Sequence, residues 1–151
     1  MRVVRGVNHA SLPPCVLTIG NFDGLHRGHA SMLGELKAIA TERGLATAVL
    51  TFEPHPREFF TPDSAPARLS SLREKLEYLS QANVDYVVVQ HFNHHFAGID
   101  AGDFRDRIVT QHLNARHVLV GDDFRFGARR SGDFAFLQQS SNFTADHLPT
   151  V

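Results

Sequence analysis

The sequence has one cysteine, Cys15, in 151 residues. No internal disulfide can form, and the reducing cytosol is the expected compartment. Fifteen Lys and Arg stand against sixteen Asp and Glu, leaving a net charge of −1. The chain therefore lacks the basic excess of a nucleic-acid binder and the acidic run of a solvating tail. Its reserve of charge is histidine: protonating all ten would carry the chain to +9, so acid could alter its behaviour. The longest apolar runs are about five residues, far below the roughly 20 that span a bilayer. The opening MRVVRGVNHASLPP has no apolar stretch followed by a cleavage site, so a signal peptide is not expected. Internal repeats and low-complexity segments are lacking too. What is present is enough apolar material for a core, 42% of residues, with 9% aromatic and 21% charged. That excludes disorder, collagen and solenoid arrays, and the length is about that of one domain. The expectation is a cytoplasmic domain with neither nucleic-acid nor membrane partners, its oligomeric state open.

Five short apolar or β-branched runs alternate with segments of helical period. The runs are Cys15–Ile19, Ala46–Phe52, Tyr86–Gln90, His117–Val120 and a weaker one from Phe143 to the end. Continuous apolar runs suit strands covered on both faces, as in a parallel sheet. Helices are expected over Gly28–Arg43, with Gly44 as its stop, and over Leu72–Ala82, opened by the capping box Ser71-Leu72-Arg73-Glu74. A third runs from Ala101 to His112 behind an Asp100 cap, and a shorter one covers Phe134–Ser141. This alternation predicts an α/β fold, an open three-layer structure on a mostly parallel five-stranded sheet. The ligand crevice of such a sheet lies beyond the carboxyl ends of its strands. Three unusual loops fall there: Gly20–Gly28, the proline-rich Glu53–Ser70 and Gly121–Asp133.

The first loop reads Gly20-Asn21-Phe22-Asp23-Gly24-Leu25-His26-Arg27-Gly28-His29. Gly20 and Gly24 permit a tight turn and close ligand approach, and Gly28 lets the helix start lie against a ligand. The helix N-terminus offers unpaired N–H groups to an anion, and His26 and His29 lie on one face of its first turn. Two imidazoles there could donate to phosphate oxygens; the plainer alternative is a pair that only caps the helix. No Gly-Lys-Ser/Thr follows, so this is not a Walker loop. In the second loop, Pro54 and Pro56 stiffen the chain around His55, with Phe59 and Phe60 available to stack on a flat heterocycle or to pin the loop to the core. In the third, Phe124 and Phe126 alternate with Arg125, so one of the two rings can be a core residue. Arg125, Arg129 and Arg130 could meet phosphates or merely solvate the loop.

Other clusters carry less. His91, His94 and His95 have metal-compatible spacing without a nearby Cys or carboxylate partner, and read as a polar loop. Cys15 reads as a small core residue. Asp103, Arg105, Asp106 and Arg107 read as a solvated helix face.

His26-Arg27-Gly28-His29 resembles the HxGH signature of the nucleotidylyltransferase superfamily, a Rossmann-like fold. The whole decapeptide, G-x-F-D-G-x-H-x-G-H, is similar to the first motif of the prokaryotic FAD synthetases. Thr51-Phe52-Glu53-Pro54-His55-Pro56 resembles their F-x-P-H-P element, and Val120-Gly121-Asp122-Asp123-Phe124-Arg125-Phe126-Gly127 their G-x-(D/N)-F-x-F-G element. The resemblance runs from about Val16 to Asp133.

It implies FAD biosynthesis by transfer of AMP from ATP to FMN, with Mg²⁺ accompanying ATP and FMN as substrate. His26 and His29 would be catalytic. Gly20, Phe22, Asp23, Gly28, Phe52, Pro54, His55, Phe60, Gly121, Asp123 and Phe126 would bind nucleotide and flavin, with Phe60 bordering the flavin. Asp23 would orient a histidine or a ribose hydroxyl rather than touch phosphate. The family's further S-S-T-x-x-R-type motif is not matched, because Ser140-Ser141-Asn142 differs from it and the chain stops at Val151. The family's riboflavin kinase domain would lie outside these residues, which implies an FMN adenylyltransferase module over 1–151 that ends early. Two alternatives stay open: another HxGH nucleotidylyltransferase, and a non-catalytic FMN- or ATP-binding fragment.

Overall fold

The structure, a computed structural model, describes residues 1–22, 27–54, 56 and 71–149. Its strands are β1 (Arg2–Arg5), β2 (Cys15–Ile19), β3 (Ala46–Glu53), β4 (Tyr86–His91), β5 (Ala115–Gly121) and β6 (Thr144–Leu148). They form one sheet in the order β1-β4-β3-β2-β5-β6, with every pairing parallel. All five residues of β2 are buried, as a run of apolar and β-branched residues suits a central strand.

The sheet has six strands rather than the five expected, because Arg2-Val3-Val4-Arg5 pairs with β4 at the edge. An edge strand of four residues bracketed by arginines gives no continuous apolar run to read. Its exposed side chains agree with that position.

Helices cover both faces. On one, α1 (Arg27–Arg43) and α2 (Leu72–Gln81) pack Leu33, Leu36, Ala40 and Leu79 on Val16, Val49, Val87 and Val89. Gly44 ends α1 at φ +67°, a left-handed stop that glycine accepts without strain. Ser71 Oγ accepts from Glu74 N and Glu74 Oε1 accepts from Ser71 N, both at 3.1 Å, completing the capping box.

On the other face lie α3 (His94–Ala97), α4, and α5 (Phe134–Gln138). Helix α4 opens over Ala101–Asp103, capped by Asp100, and continues with π-type bonding over Phe104–His112. Phe104, Ile108 and Val109 point inward, as their spacing requires. Helix α5 is shorter than the expected Phe134–Ser141, and α3, a single turn capped by Asn93, was not legible in the sequence.

The charged stretch on α4 is only partly a solvated face. Arg105 grips the Asp106 carboxylate through Nε (2.8 Å) and Nη2 (3.0 Å) and donates from Nη1 to the Phe136 carbonyl at 3.1 Å. Its guanidinium carbon lies 4.2 Å from the centroid of the Phe136 ring. One planar fork thus fastens α4 to α5, which a lysine could not reproduce. The same hydrogen bonds hold the Asp106 carboxyl below its ordinary range.

Cys15 is the core residue expected of it. Burial pushes its thiol up to about 12, and Sγ lies 3.3 Å from the Leu113 carbonyl.

His117 on β5 is 2% exposed, with Nδ1 2.6 Å from Thr144 Oγ1 and Nε2 3.4 Å from Asp146 Oδ2. Burial, reinforced by the Arg43 charge and opposed by Asp146, lowers its proton affinity. The unfolded chain therefore takes up a proton that the folded chain resists. The stability held above about pH 6.5 is lost as pH falls through and below that value. Thermal melts between about pH 7.5 and 5.5, the range in which a histidine titrates, should show a shallower acid decline for His117→Asn than for the parent chain. Parallel slopes would remove His117 from the acid response.

Candidate active site

Strand β2 lies between β3 and β5. The chain passes from β2 to β3 and β4 on one side, and later to β5 and β6 on the other. The carboxyl ends of β2 and β5 therefore flank the point where strand order reverses, which is where open α/β sheets hold ligands. The turns that leave those two ends begin at Gly20 and Gly121.

At the end of β2, Gly20 N–H donates to the Leu50 carbonyl at 3.1 Å. A Cβ on Gly20 would stand 3.2 Å from Phe22 Cε2, so a larger residue would require the Phe22 ring to shift by a few tenths of an ångström. Phe22 takes φ +53°, a costly conformation for an aromatic residue, and its ring is 4% exposed. Burial of that ring offsets the backbone cost and also serves the site. The ring stands 5.0 Å from the His29 imidazole, centroid to centroid, at 43°. His29, half-buried in the first turn of α1, is thus seated against Phe22 at the N-terminus of a 17-residue helix. Such a terminus carries partial positive charge and unpaired N–H groups, which favour an anion. Gly28 lies in that same turn; Asp23 and His26 fall outside the described residues.

The neighbouring strand end, on β3, contributes Phe52, nearly buried among Phe92 and Phe96 at centroid distances of 5.7 and 5.6 Å. Pro54 follows, half-buried, behind a cis Glu53–Pro54 peptide. His55, Phe59 and Phe60 lie outside the described residues. After β5, Gly121 approaches Asp123 closely: a Cβ on Gly121 would meet Asp123 Oδ1 at 3.2 Å. The Asp123 side chain is exposed.

Phe126, expected in the ligand wall, is a core ring. It is 5% exposed and lies among Phe104, Phe124 and Phe136. Of the alternating pair, Phe124 is the one left half-exposed, stacked on Phe126 at 5.6 Å.

Arg125, Arg129 and Arg130 are exposed, but Arg125 Nε is committed to the Arg130 carbonyl at 3.2 Å. Arg129 and Arg130 both sit at positive φ, +57° and +54°, in a loop closed by paired backbone bonds between Phe126 and Gly132. His91, His94 and His95 are exposed at the end of β4 and on α3, with His91 Nδ1 3.2 Å from the Glu53 carbonyl. Among the described residues no three His, Cys, Asp or Glu side chains converge as metal ligands.

Sequence reasoning missed a buried lysine beneath the glycine turn. Lys75 on α2 is 2% exposed and donates from Nζ to Thr51 Oγ1 at 3.1 Å. The Thr51 hydroxyl in turn donates to the Asn21 carbonyl at 3.3 Å. The signal was present: Lys75 follows Leu72 by three residues and precedes Leu79 by four, so helical period places it on the inward stripe.

Residues 8–151 match the family model described as FAD synthetase. Among curated proteins, the chain is 48% identical over 143 residues to a bifunctional riboflavin kinase/FMN adenylyltransferase of Escherichia coli K12, covering 93% of this chain and 46% of that protein. A protein of the same description from Pseudomonas fluorescens is 45% identical over 158 residues, covering 100% of this chain and 50% of the relative. The chain thus spans about half the length of the curated relatives it matches. Among solved structures, one described as a macrolide-efflux protein from Streptococcus pneumoniae superposes with a TM-score of 0.84 at 21% identity, over 99% of this chain and 51% of that one. A pantoate-beta-alanine ligase from Francisella tularensis gives 0.61 at 15% identity, over 100% and 67%. At those identities the two structures speak for the fold alone, a Rossmann-like α/β arrangement. No helix among the described residues is long and apolar enough to cross a membrane.

Proposed function

Because the chain belongs to the FAD synthetase family, we propose that residues 1–151 are an FMN adenylyltransferase module that transfers AMP from ATP to FMN in the cytoplasm. The observation that carries this reading is the seat of His29. It lies at the first turn of α1, against Phe22, in the segment that follows the carboxyl end of β2, where strand order reverses. In the reaction, a phosphate oxygen of FMN attacks the α-phosphorus of ATP. A new P–O bond forms, the bond from the α-phosphorus to the bridging oxygen breaks, and pyrophosphate leaves with that electron pair. No protein nucleophile is required. Catalysis is positioning together with stabilisation of charge on the phosphoryl oxygens.

His26 and His29 donate to those oxygens, and the backbone N–H groups around Gly28 add to them. Gly20, Phe22 and Asp23 shape the nucleotide side of the crevice. Phe52, Pro54, His55 and Phe60 form the flavin side, with Gly121 and Asp123 between the two. Phe126 acts from behind, by supporting Phe124. Mg²⁺ would enter as the ATP complex and would supply charge neutralisation at the phosphates.

The test is to incubate the 151-residue chain with FMN, ATP and Mg²⁺ and separate the products by chromatography, with the His26→Ala/His29→Ala double variant as blank. FAD above the blank is expected. Quenching of FMN fluorescence without FAD would instead identify a binding fragment. Neither signal from a folded chain would overturn the flavin reading in favour of another HxGH substrate.

A further inference from the structure

Buried lysines are rare, because desolvating an ammonium is costly unless its donors find acceptors. Lys75 is 2% exposed and stands at the fourth residue of α2, the helix that follows the β3 loop. Its ammonium reaches β3 at Thr51, whose side chain is fully buried. The direction of the bonds is informative. Thr51 Oγ1 accepts from Lys75 Nζ at 3.1 Å, which leaves the hydroxyl proton for the Asn21 carbonyl at 3.3 Å. A cation donating to a hydroxyl also polarises it and strengthens the onward bond.

The Asn21 carbonyl belongs to the peptide that links Asn21 to Phe22. A planar trans peptide directs its N–H opposite to its C=O, so holding that carbonyl fixes the whole unit. Phe22 then enters at φ +53° with its ring 5.0 Å from His29. The same turn leaves Asn21 Oδ1 buried without a hydrogen-bond partner among the described residues.

We propose that Lys75 is a positioning residue: through the Thr51 hydroxyl it sets the Asn21–Phe22 peptide and thereby the seat of His29. The inference rests on the adenylyltransferase reading for its kinetic arm only. Lys75 does not touch substrate in this scheme.

The experiment uses the 151-residue chain with Lys75→Met, Thr51→Val and Thr51→Ser, each checked by thermal melting, and each combined with His29→Ala. Thr51→Val keeps the shape and removes the hydroxyl, whereas Thr51→Ser retains it. Expected are a fall in kcat of roughly 10- to 100-fold for Lys75→Met and Thr51→Val, the range that misplacement of a catalytic group costs, and a KM for ATP changed by less than about threefold. Thr51→Ser should rescue the rate. In the His29→Ala background, the Lys75→Met and Thr51→Val losses should vanish, because both act through the same imidazole.

A second readout is independent of activity. The His29 ring resonance, assigned by its loss in His29→Ala, should move in Thr51→Val and return in Thr51→Ser. If the parent chain makes no FAD, the functional reading fails and the resonance still decides the positioning claim. Should Lys75→Met not fold, the two Thr51 variants decide it. Folded variants with an unmoved His29 resonance would overturn the proposal, as would kinetic losses that add in full to that of His29→Ala.

Discussion

His29→Ala should lower FAD formation about 10²–10³-fold, the usual loss when one preorganised transition-state donor is removed, while the chain stays folded. The size follows from where the imidazole sits. His29 is half-buried at the N-terminus of α1, and its ring is braced by Phe22 rather than free to sweep through solvent. A donor already in place needs no reorganisation as negative charge grows on the phosphoryl oxygens. Because that charge is largest in the transition state, kcat and kcat/KM should fall together, with little change in KM for ATP. His29→Asn keeps a donor on a shorter arm and should recover part of the loss. His95→Ala, exposed on α3, supplies the control and should leave the rate unchanged. A loss below about threefold in a folded His29→Ala chain would remove this residue from the chemistry, since one ordinary neutral hydrogen bond is already worth that much.

The frame around His29 was legible because local rules and the fold agree there. Cys15–Ile19 reads as a buried strand, Gly20 as a turn and Arg43-Gly44 as a helix stop, and each is satisfied by its surroundings. The caps at Ser71 and Asp100 are side-chain bonds three residues long, so both partners of each lie within one short stretch of sequence. What sequence did not disclose depends on distant partners. β1 exists because β4 offers an edge, and Arg105 leaves the solvent because Phe136, 31 residues away, presents both a ring and a carbonyl. Lys75 is the sharpest case. Its position on the apolar stripe could be counted, but an acceptor for its ammonium, Thr51 Oγ1, lies on another element. Phe124 and Phe126 lay between these extremes. Alternation allowed one of the two rings to be a core residue, and only packing against Phe104 and Phe136 decides that it is Phe126.

Gly127→Ala should cost about 2–6 kcal/mol of stability, combining backbone strain of about 1–3 kcal/mol with a packing penalty of similar size. Gly127 has φ +78° and ψ 173°, a region that residues with a Cβ essentially do not enter. A Cβ built there would stand 2.7 Å from Ala101 Cα and 2.8 Å from Ala101 N, the backbone at the start of α4. Backbone cannot rotate out of the way as a flexible side chain can. Relief would require moving the loop, and the loop is held on both sides. Ala128 N–H donates to the Ile99 carbonyl at 2.8 Å, and Phe126 and Gly132 exchange backbone bonds at 3.1 and 2.8 Å. Moving it would also displace Phe126 from the aromatic packing behind Phe124 and the turn after β5. The substitution should therefore weaken FMN binding as well as lower the urea midpoint. Gly34→Ala tests whether the effect is specific to this position. Gly34 is exposed within α1, and a Cβ there meets nothing within 4 Å, so alanine should stabilise by about 0.5–1 kcal/mol through helix propensity alone. Opposite signs for the two glycines in urea titrations with equal m-values are the expected result. A Gly127→Ala chain within about 0.5 kcal/mol of the parent, the range of a neutral surface change, would mean that the approach of the loop to Ala101 does not constrain the fold.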